Sequence, residues 1–404
     1  MEQSTYPWAR FEPVPLIGDV TPACSKELAE FLAVLGEIRP LSKAHAEALP
    51  GAINALSRIL TEARAEMTKP YWSNQDFVSA YLYYFLPWNL VRLTRFFAGL
   101  CPETPAKGSW IVDIGTGPGT VPLALWFAKP AWRTIPLTLC LQDSQRSVLP
   151  LAKRLCERVF CRGNSPWKVV IAKEPVASLS RRLLGESLAL VTCANVINEW
   201  VSRRSLGEWD FSARINAFLE QLSPLLVHKQ APWCVCIEPG TRLGGTTIMA
   251  LRKEALAAGF QIVAPCTHAN PCPLLAKERR TWCHCTFDTT GSPAWLNALS
   301  EQAQLQKEAL SLAPLVFTKK APKQSKGEIR CISSSFVVPS LSGKARYACA
   351  EKGLLLLEDA EGLPQYARLR LEETSLTGLV RDTKSGAICV RSPKEHGQKK
   401  ARKR

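Results

Sequence analysis

The sequence predicts an α/β fold with a mainly parallel, doubly wound sheet of the Rossmann-like kind. Between residues 108 and about 265, short apolar segments of strand length alternate with segments of helical periodicity. This alternation is typical of parallel sheets covered by helices. The first such strand, at 110–114, runs into three closely spaced glycines and then into a helix-forming segment. Strand, tight turn and helix in this order indicate a nucleotide-binding edge.

Residues 1–105 are predicted to be a helical N-terminal region that caps the sheet. Apolar residues recur at helical spacing from Leu56 to Ala63, which favours an amphipathic helix. The next segment, Phe77 to Phe97, is rich in aromatic residues and contains Arg92 and Arg95. These rings can form the packing face of a helix, or rings and guanidinium groups can stack on RNA bases. Helix packing is the favoured interpretation, and RNA contact remains open.

Seven strands are predicted in a single domain at 106–318. Their ranges are 110–114, 137–142, 168–172, 188–194, 233–238, 260–264 and, for a strand that closes the sheet, 308–318. A cysteine-rich loop at 264–286 is inserted before the last strand. Beyond a basic linker, residues 327–390 are predicted to form a small β-rich module, and residues 391–404 a disordered basic tail.

The loop after the first strand has the spacing Asp-x-Gly-x-Gly-x-Gly. Glycines allow a tight turn and let backbone N–H groups approach a ligand. The second strand ends at another acid, a position that hydrogen-bonds ribose hydroxyls in such folds. The spacing differs from the dinucleotide pattern G-x-G-x-x-G and resembles the first motif of S-adenosylmethionine-dependent methyltransferases. The predicted cofactor-binding residues are Asp113, Gly115, Thr116, Gly117, Gly119 and Asp143.

The end of the fourth strand is predicted at the sheet edge where substrates bind. The Asp/Asn-Pro-Pro-Tyr/Phe motif of many amino-methylating enzymes is absent from this position. Asn195, Asn198 and Glu199 are the candidate catalytic residues, although Asn198 can equally cap a helix. Cys193 is a less favoured candidate for a thiolate nucleophile, because a cysteine at a buried strand end usually serves packing.

The segment from 264 to 286 carries four cysteines and two histidines within twenty residues, set between prolines. This density predicts a metal or cluster loop. The spacing fits neither a common zinc finger nor a ferredoxin run. Thiolates bind both zinc and iron–sulfur clusters, so the residues themselves leave the metal open.

The composition favours a polyanionic partner such as nucleic acid, since 51 Lys and Arg against 35 Asp and Glu give a net charge of +16. The N-terminus lacks the pattern of a signal or transit peptide, and no apolar run has membrane-spanning length. The fifteen cysteines mostly lie singly in apolar segments, unlike those of a secreted disulfide scaffold. We therefore expect a cytoplasmic location, most simply a bacterial one, with neither a membrane nor DNA as partner.

The glycine loop, the stretch Ala264-Pro-Cys-Thr-His-Ala-Asn-Pro-Cys-Pro273 and the stretch Trp282-Cys-His284 together resemble one family. It is the family of methyltransferase-like small-subunit ribosomal proteins, which comprises mitochondrial ribosome assembly factors and their bacterial relatives. The resemblance covers roughly residues 75 to 355. It implies S-adenosylmethionine on the 113–119 loop, binding to small-subunit rRNA, and a [4Fe–4S] cluster. The ligands that it implies are Cys266, Cys272, Cys283 and Cys349, with Cys285 as an alternate because it stands where an aromatic residue is usual.

Two functions follow as hypotheses. The chain is either an S-adenosylmethionine-dependent rRNA methyltransferase or a catalytically inactive assembly factor that keeps the cofactor site and the cluster. Methyl transfer can proceed largely by positioning the nucleophile and the methyl group in line, so the lack of an obvious base leaves both open. The missing motif after the fourth strand slightly favours the assembly factor.

Overall fold

The computed structural model describes residues 13–61, 71–202, 210–227, 230–275, 281–320, 326–338, 344–358, 360, 363–364, 366–371 and 380–390. The predicted basic tail at 391–404 lies outside the described residues. So do 276–280 of the cysteine-rich loop and most of the predicted linker.

The N-terminal region is helical, as predicted. After a two-residue strand, β1 (Val14–Pro15), come α1 (Pro22–Ile38), α2 (Lys43–Thr61), α3 (Gln75–Ala80), a π-helical turn (Tyr81–Phe85) and α4 (Leu86–Gly99). Local caps start two of them: the Thr21 hydroxyl accepts the Cys24 N–H, and the Asn74 side chain accepts the N–H groups of Asp76 and Phe77. Within the described ranges, no helix combines the length and the apolar composition that crossing a bilayer requires.

The central sheet confirms the predicted Rossmann-like fold. Its strands are β2 (Trp110–Ile114), β3 (Thr138–Gln142), β4 (Lys168–Ala172), β5 (Leu188–Ala194), β6 (Trp233–Pro239), β7 (Gln261–Ala264), β8 (Cys285–Asp288) and β9 (Ala309–Thr318). The order is β4-β3-β2-β5-β6-β9-β7, and β8 pairs with β9. Strands β2 to β6 are parallel, whereas β9 runs antiparallel between β6 and β7. The chain winds outward in both directions from β2 and β5, so the crevice between their carboxyl ends is the topological switch point.

Helices cover both faces of the sheet because its strands carry apolar side chains on both sides. They are α5 (Thr120–Ala128), α6 (Leu149–Arg162), α7 (Val176–Arg182), α8 (Ile197–Val201), α9 (Phe211–Leu226), α10 (Arg242–Ala257) and α11 (Ala294–Gln302). Alternate residues of β2 separate into two cores: Ile111 packs with the side of α4, α5 and α6, and Val112 with that of α7, α9 and α10.

A second sheet is formed mainly by the C-terminal residues, in the region predicted to be β-rich. Its strands are β10 (Glu328–Cys331), β11 (Phe336–Val337), β12 (Lys344–Ala350), β13 (Gly353–Glu358), β14 (Ala367–Arg370) and β15 (Ile388–Val390), joined by β1. The order is β1-β14-β10-β12-β13-β15. The contribution of β1 was not predicted, since two residues show no periodicity.

The second sheet is tied to the cysteine-rich loop by buried polar contacts. The guanidinium of Arg330 donates to the carbonyl oxygens of Pro265 (2.9 Å) and Tyr366 (2.7 Å). The Thr267 hydroxyl donates to the Glu328 carbonyl at 3.0 Å. These bonds satisfy buried groups and place the loop between the two sheets.

Candidate functional site

The glycine loop lies at the switch point. It leaves β2 beside the carboxyl ends of both neighbouring strands, since Asp113 pairs with Leu141 of β3 and with Thr192 of β5. The loop ends where α5 begins, at Gly119, whose φ is +84°. A helix N-terminus offers free N–H groups to a ligand, and here it points at the crevice where ligands bind in open α/β sheets.

Asp113 is buried in this crevice and holds an unused acceptor. Its Oδ1 accepts a hydrogen bond from the Thr192 hydroxyl at 2.6 Å. Within the described part of the chain, its Oδ2 and the Thr116 hydroxyl oxygen are buried without a hydrogen-bond partner. Burial raises the pKa of Asp113 to about 7, although the nearby hydroxyl groups of Thr192 and Thr116 lower it. An unsatisfied buried carboxylate oxygen is costly, so a donor from a ligand would stabilise it.

Asp143 fixes the shape of the loop. Its Oδ2 accepts the Gly117 N–H at 2.9 Å and its Oδ1 accepts the Gln145 N–H at 2.7 Å. The Thr116 N–H adds a bond to the carbonyl oxygen of Gln142 at 3.0 Å. The carboxylate that the sequence assigned to ribose therefore also has a structural partner, while each oxygen retains a further lone pair.

Gly115 and Gly117 differ in what surrounds them. A Cβ at Gly115 would lie 2.2 Å from Cγ2 of Val196, in the connection between β5 and α8, and the φ of Gly115 is +65°. At Gly117 the φ is +52°, but a Cβ would meet nothing within 4 Å. Gly115 thus permits close packing against the chain after β5. Gly117 faces open space, which a backbone segment needs if a ligand is to approach it.

The three candidate catalytic residues separate in the structure. Asn195 has a φ of +60° and is partly open, and Glu199 is exposed. Asn198 is buried, and its Oδ1 accepts the hydroxyl of Thr247 on α10 at 2.8 Å. Asn198 therefore helps to attach α8 to α10, and only Asn195 and Glu199 are accessible.

Cys193 is fully buried in the core shared with Cys234 and Cys236. Burial raises its pKa well above that of a free thiol, and the neighbouring cysteines raise it further. A buried neutral thiol is a poor nucleophile. The structure supports the packing interpretation for this residue.

Glu238, at the carboxyl end of β6, is absent from the candidate site residues that the sequence predicts. Its Oε1 accepts the Ile197 N–H at 2.7 Å and so anchors the start of α8. Its Oε2 is buried and has no partner in the described residues, and burial raises its pKa to about 8. The signal that could have identified it is the one used for Asp113 and Asp143, an acid at a strand end.

We expect Glu238→Gln to gain stability over the wild type as the pH rises from 6 to 9. A carboxyl group with a raised pKa stabilises the folded state when protonated, and this contribution is lost as the pH rises through about 8. Glutamine keeps a hydrogen-bond acceptor and cannot ionise. The free energy of unfolding of the variant should therefore gain about 3 kcal/mol over that of the wild type between pH 6 and 9. Urea unfolding at both pH values measures it. The control is the exposed Glu220→Gln variant. If the free energy of unfolding changed equally with pH in Glu238→Gln and in the wild type, the raised pKa of Glu238 would be contradicted.

The four cysteines implied as cluster ligands come together from separate segments. Burial raises the pKa of the thiols of Cys272, Cys283 and Cys349, and a negative charge on Cys266 would raise all three further. The sulfurs of Cys272, Cys283 and Cys349 also interact with one another. Every pair within the four is therefore in electrostatic range. Among the described residues, no three His, Cys, Asp or Glu side chains are arranged as the ligand set of a metal ion.

Two basic side chains accompany these sulfurs. The Arg252 Nε lies 3.1 Å from the Cys266 sulfur, and the same guanidinium donates to the carbonyl oxygens of His268 and Asn270. The His268 Nε2 lies 3.2 Å from the Cys349 sulfur. The Arg252 charge lowers the pKa of Cys272 and Cys349, against the larger effect of burial, which raises it.

Cys285 has different surroundings from the other four. It belongs to the core of the central sheet with Leu310 and Leu312, whereas Cys272 and Cys283 pack near Met249. Burial raises the pKa of Cys285 to about 12, and Arg330 lowers it. Its sulfur is also in electrostatic range of Cys283, so it stays the alternate ligand.

A family model described as "Mitochondrial small ribosomal subunit Rsm22" matches residues 77–338, which is more than half of the chain. The matched range begins in the helical region and contains the glycine loop, the residues after β5 and the cysteine-rich loop. No curated protein matches the chain.

Solved methyltransferase structures resemble the chain at low identity. A human methyltransferase 10 domain containing protein is 17% identical over 54% of this chain and 91% of its own, with a TM-score of 0.31. The N-terminal domain of human METTL16 in complex with SAH is 14% identical over 58% and 71%, with a TM-score of 0.33. A methyltransferase from Geobacter sulfurreducens with S-adenosyl-L-homocysteine is 12% identical over 57% and 89%, with a TM-score of 0.28.

Proposed function

The chain belongs to the mitochondrial small ribosomal subunit Rsm22 family, and from this premise we propose that it binds S-adenosylmethionine and small-subunit rRNA and acts in assembly of the small subunit. The observation that carries the cofactor site is the buried crevice at the carboxyl ends of β2 and β5. There the open side of Gly117, the unpartnered Oδ2 of Asp113 and the N-terminus of α5 meet. These groups offer an acceptor for the cofactor's ammonium group and donors for its carboxylate.

We expect the affinity for S-adenosylhomocysteine to rise about tenfold between pH 6 and 8, because Asp113 must ionise to bind an ammonium group and its pKa is about 7. The free energy of unfolding of the unliganded protein should fall over the same pH range. A carboxyl group with a raised pKa stabilises the folded state when protonated, and this stabilisation is lost as the pH rises through 7. Asp113→Asn should bind weakly at every pH. Calorimetry at three pH values tests this, with the helix-capping Asp210→Asn as control, and a pH-independent wild type would refute it.

The family and the charge of +16 support small-subunit rRNA as the polyanionic partner. The predicted basic tail would add phosphate contacts. The bacterial cytoplasm stays a prediction, because the family description names mitochondria.

The chemistry of the cysteine-rich loop favours a thiolate-bound group, since the four sulfurs lie in electrostatic range of one another and Arg252 lies beside Cys266. The described residues do not arrange three of these side chains as a metal-ion ligand set. We propose that Cys266, Cys272, Cys283 and Cys349 hold a [4Fe–4S] cluster, with zinc as the alternative. The group would supply a cross-link, because Cys349 lies on β12 of the second sheet and the other three lie in the loop. Its position supports a role in fixing the two sheets together.

The enzymatic hypothesis is methyl transfer to rRNA, with Asn195 and Glu199 as the accessible residues at the substrate edge. The alternative, an assembly factor without catalysis, is favoured by the structural use of the polar groups there. Asn198 is bound to Thr247 and Glu238 to the start of α8, so two of the strand-end polar residues anchor helices.

Incubation of immature small subunits with methyl-labelled S-adenosylmethionine tests the proposal. Label on rRNA supports the methyltransferase, and normal subunit binding without label leaves the assembly factor. A chain that binds neither small subunits nor the cofactor would overturn both. Crosslinking and sequencing of the bound RNA identifies the site.

A further inference from the structure

A partly open stripe runs along a largely buried helical segment at residues 78–97. Of the twenty residues from 78 to 97, sixteen are buried and four are partly open. The four are Tyr81, Phe85, Asn89 and Arg92. Their spacing of four, four and three residues places them on one face of the continuous helix. The π-helical turn at Tyr81–Phe85 shifts the register at this point, and such turns are frequent at functional sites.

The N-terminal half of the stripe is aromatic. Tyr81 stacks on Tyr71, with ring centroids 5.6 Å apart and planes inclined by 14°. Trp72 lies against both rings at 4.9 Å, and Phe85 lies 5.8 Å from Tyr81. All four side chains are partly open. The cluster therefore presents ring surface to solvent, which buried packing does not require.

Two cations, Arg92 and Lys307, lie at the C-terminal half of the stripe, and no ion pair joins them to an acid among the residues that the structure describes. Arg92 donates to the Asn89 side chain at 2.9 Å, and its Nε is buried without a hydrogen-bond partner. The Lys307 ammonium lies 5.7 Å over the ring of Tyr84. Burial lowers the pKa of Lys307, and the Arg92 charge lowers it further. Neither forms an ion pair with a carboxylate in the described residues, so the repulsion between these two partly buried positive charges is not compensated there.

The sheet topology places Lys307 toward the edge at which the parallel strands end, because β9 runs antiparallel to β6. Lys307 lies two residues before β9, whose first four residues pair with β8. Strand β9 meets the carboxyl end of β6 at Leu312, which pairs with Pro239. Aromatic rings and cations in one stripe fit single-stranded RNA, which stacks exposed bases and carries a phosphate at each nucleotide.

We propose that the stripe of Tyr81, Phe85, Asn89 and Arg92, together with Lys307, binds a single-stranded segment of rRNA. The aromatic half stacks on a base, and the two cations bind the adjacent phosphate. The inference rests on the proposed rRNA-binding function and names the surface that performs it.

Fluorescence anisotropy with a fluorescein-labelled oligoadenylate RNA of about ten nucleotides tests the proposal. Lys307→Gln and Arg92→Gln should each weaken binding about five- to tenfold and lower the slope of log Kd against log salt by about 0.7. Tyr81→Leu should weaken binding about tenfold, whereas Tyr81→Phe keeps the ring and should bind as the wild type does. The matched control is Lys319→Gln, because Lys319 also lies over an aromatic ring, 4.0 Å from Phe260, and should have no effect.

Thermal melts and S-adenosylhomocysteine calorimetry on the same variants separate the alternatives. Wild-type RNA affinity and salt slope in the Lys307 and Arg92 variants would overturn this inference and leave rRNA binding intact. If these variants lost S-adenosylhomocysteine binding but bound RNA as the wild type does, the two cations would bind the cofactor's carboxylate instead. That result would overturn the inference. A wild type that binds no RNA would overturn both this inference and the proposed rRNA partner.

Discussion

Gly115→Ala is expected to weaken S-adenosylhomocysteine binding by at least about 100-fold, or roughly 3 kcal/mol. The new methyl group would lie 2.2 Å from Cγ2 of Val196, and the φ of +65° is strained for any residue with a Cβ. The loop or the connection after β5 must therefore move. Either movement displaces the open backbone at Gly117 and the N-terminus of α5, which are the proposed binding groups. Isothermal titration calorimetry measures the loss.

Two further variants isolate the steric cause. Gly108→Ala introduces a Cβ at a similar φ of +83°, with nothing within 4 Å, and should leave cofactor binding unchanged. Val196→Ala in the Gly115→Ala background removes the contacted methyl group and should restore part of the affinity, as expected for coupled residues. Wild-type affinity in Gly115→Ala would show that the close contact does not define the site.

Cys349→Ala is expected to remove the iron and the brown colour from anaerobically purified protein. Cys349 is the one implied ligand on the second sheet, and its sulfur interacts with those of Cys266 and Cys272. A cluster that loses one of four thiolates loses most of its binding free energy. Cys266→Ser and Cys272→Ser should have the same effect. Visible absorbance and iron content per chain provide the measurements.

Cys285→Ala provides the matched control for this prediction. It removes a buried thiol only two residues from Cys283, but one that packs in the core of the central sheet, and it should keep the colour. If Cys285→Ala lost the colour and Cys349→Ala kept it, Cys285 would be the fourth ligand and Cys349 would not be one. A colourless wild type with stoichiometric zinc would replace the iron–sulfur cluster by the alternative metal.

The strands and the glycine loop could be predicted because their signals are local. The predicted 110–114, 168–172 and 188–194 agree with β2, β4 and β5, since a buried parallel strand is a short apolar run between turn residues. The Asp-x-Gly-x-Gly-x-Gly spacing likewise specifies a turn through φ values that only glycine adopts easily. That Cys349 lies near the cysteine-rich loop could be predicted only from the family resemblance, because no local sequence pattern links residues so far apart.

The sequence by itself determined the order of the elements, the carboxylate-and-glycine loop and the density of thiols, since each depends on neighbours along the chain. Only the tertiary structure decided how the polar groups at the strand ends are used. It joins Asp143 to Gly117, Glu238 to α8 and Asn198 to Thr247, and it leaves Oδ2 of Asp113 without a described partner. Such use depends on which buried donors lie within about 3 Å, and that distance is set by packing between segments far apart in the chain.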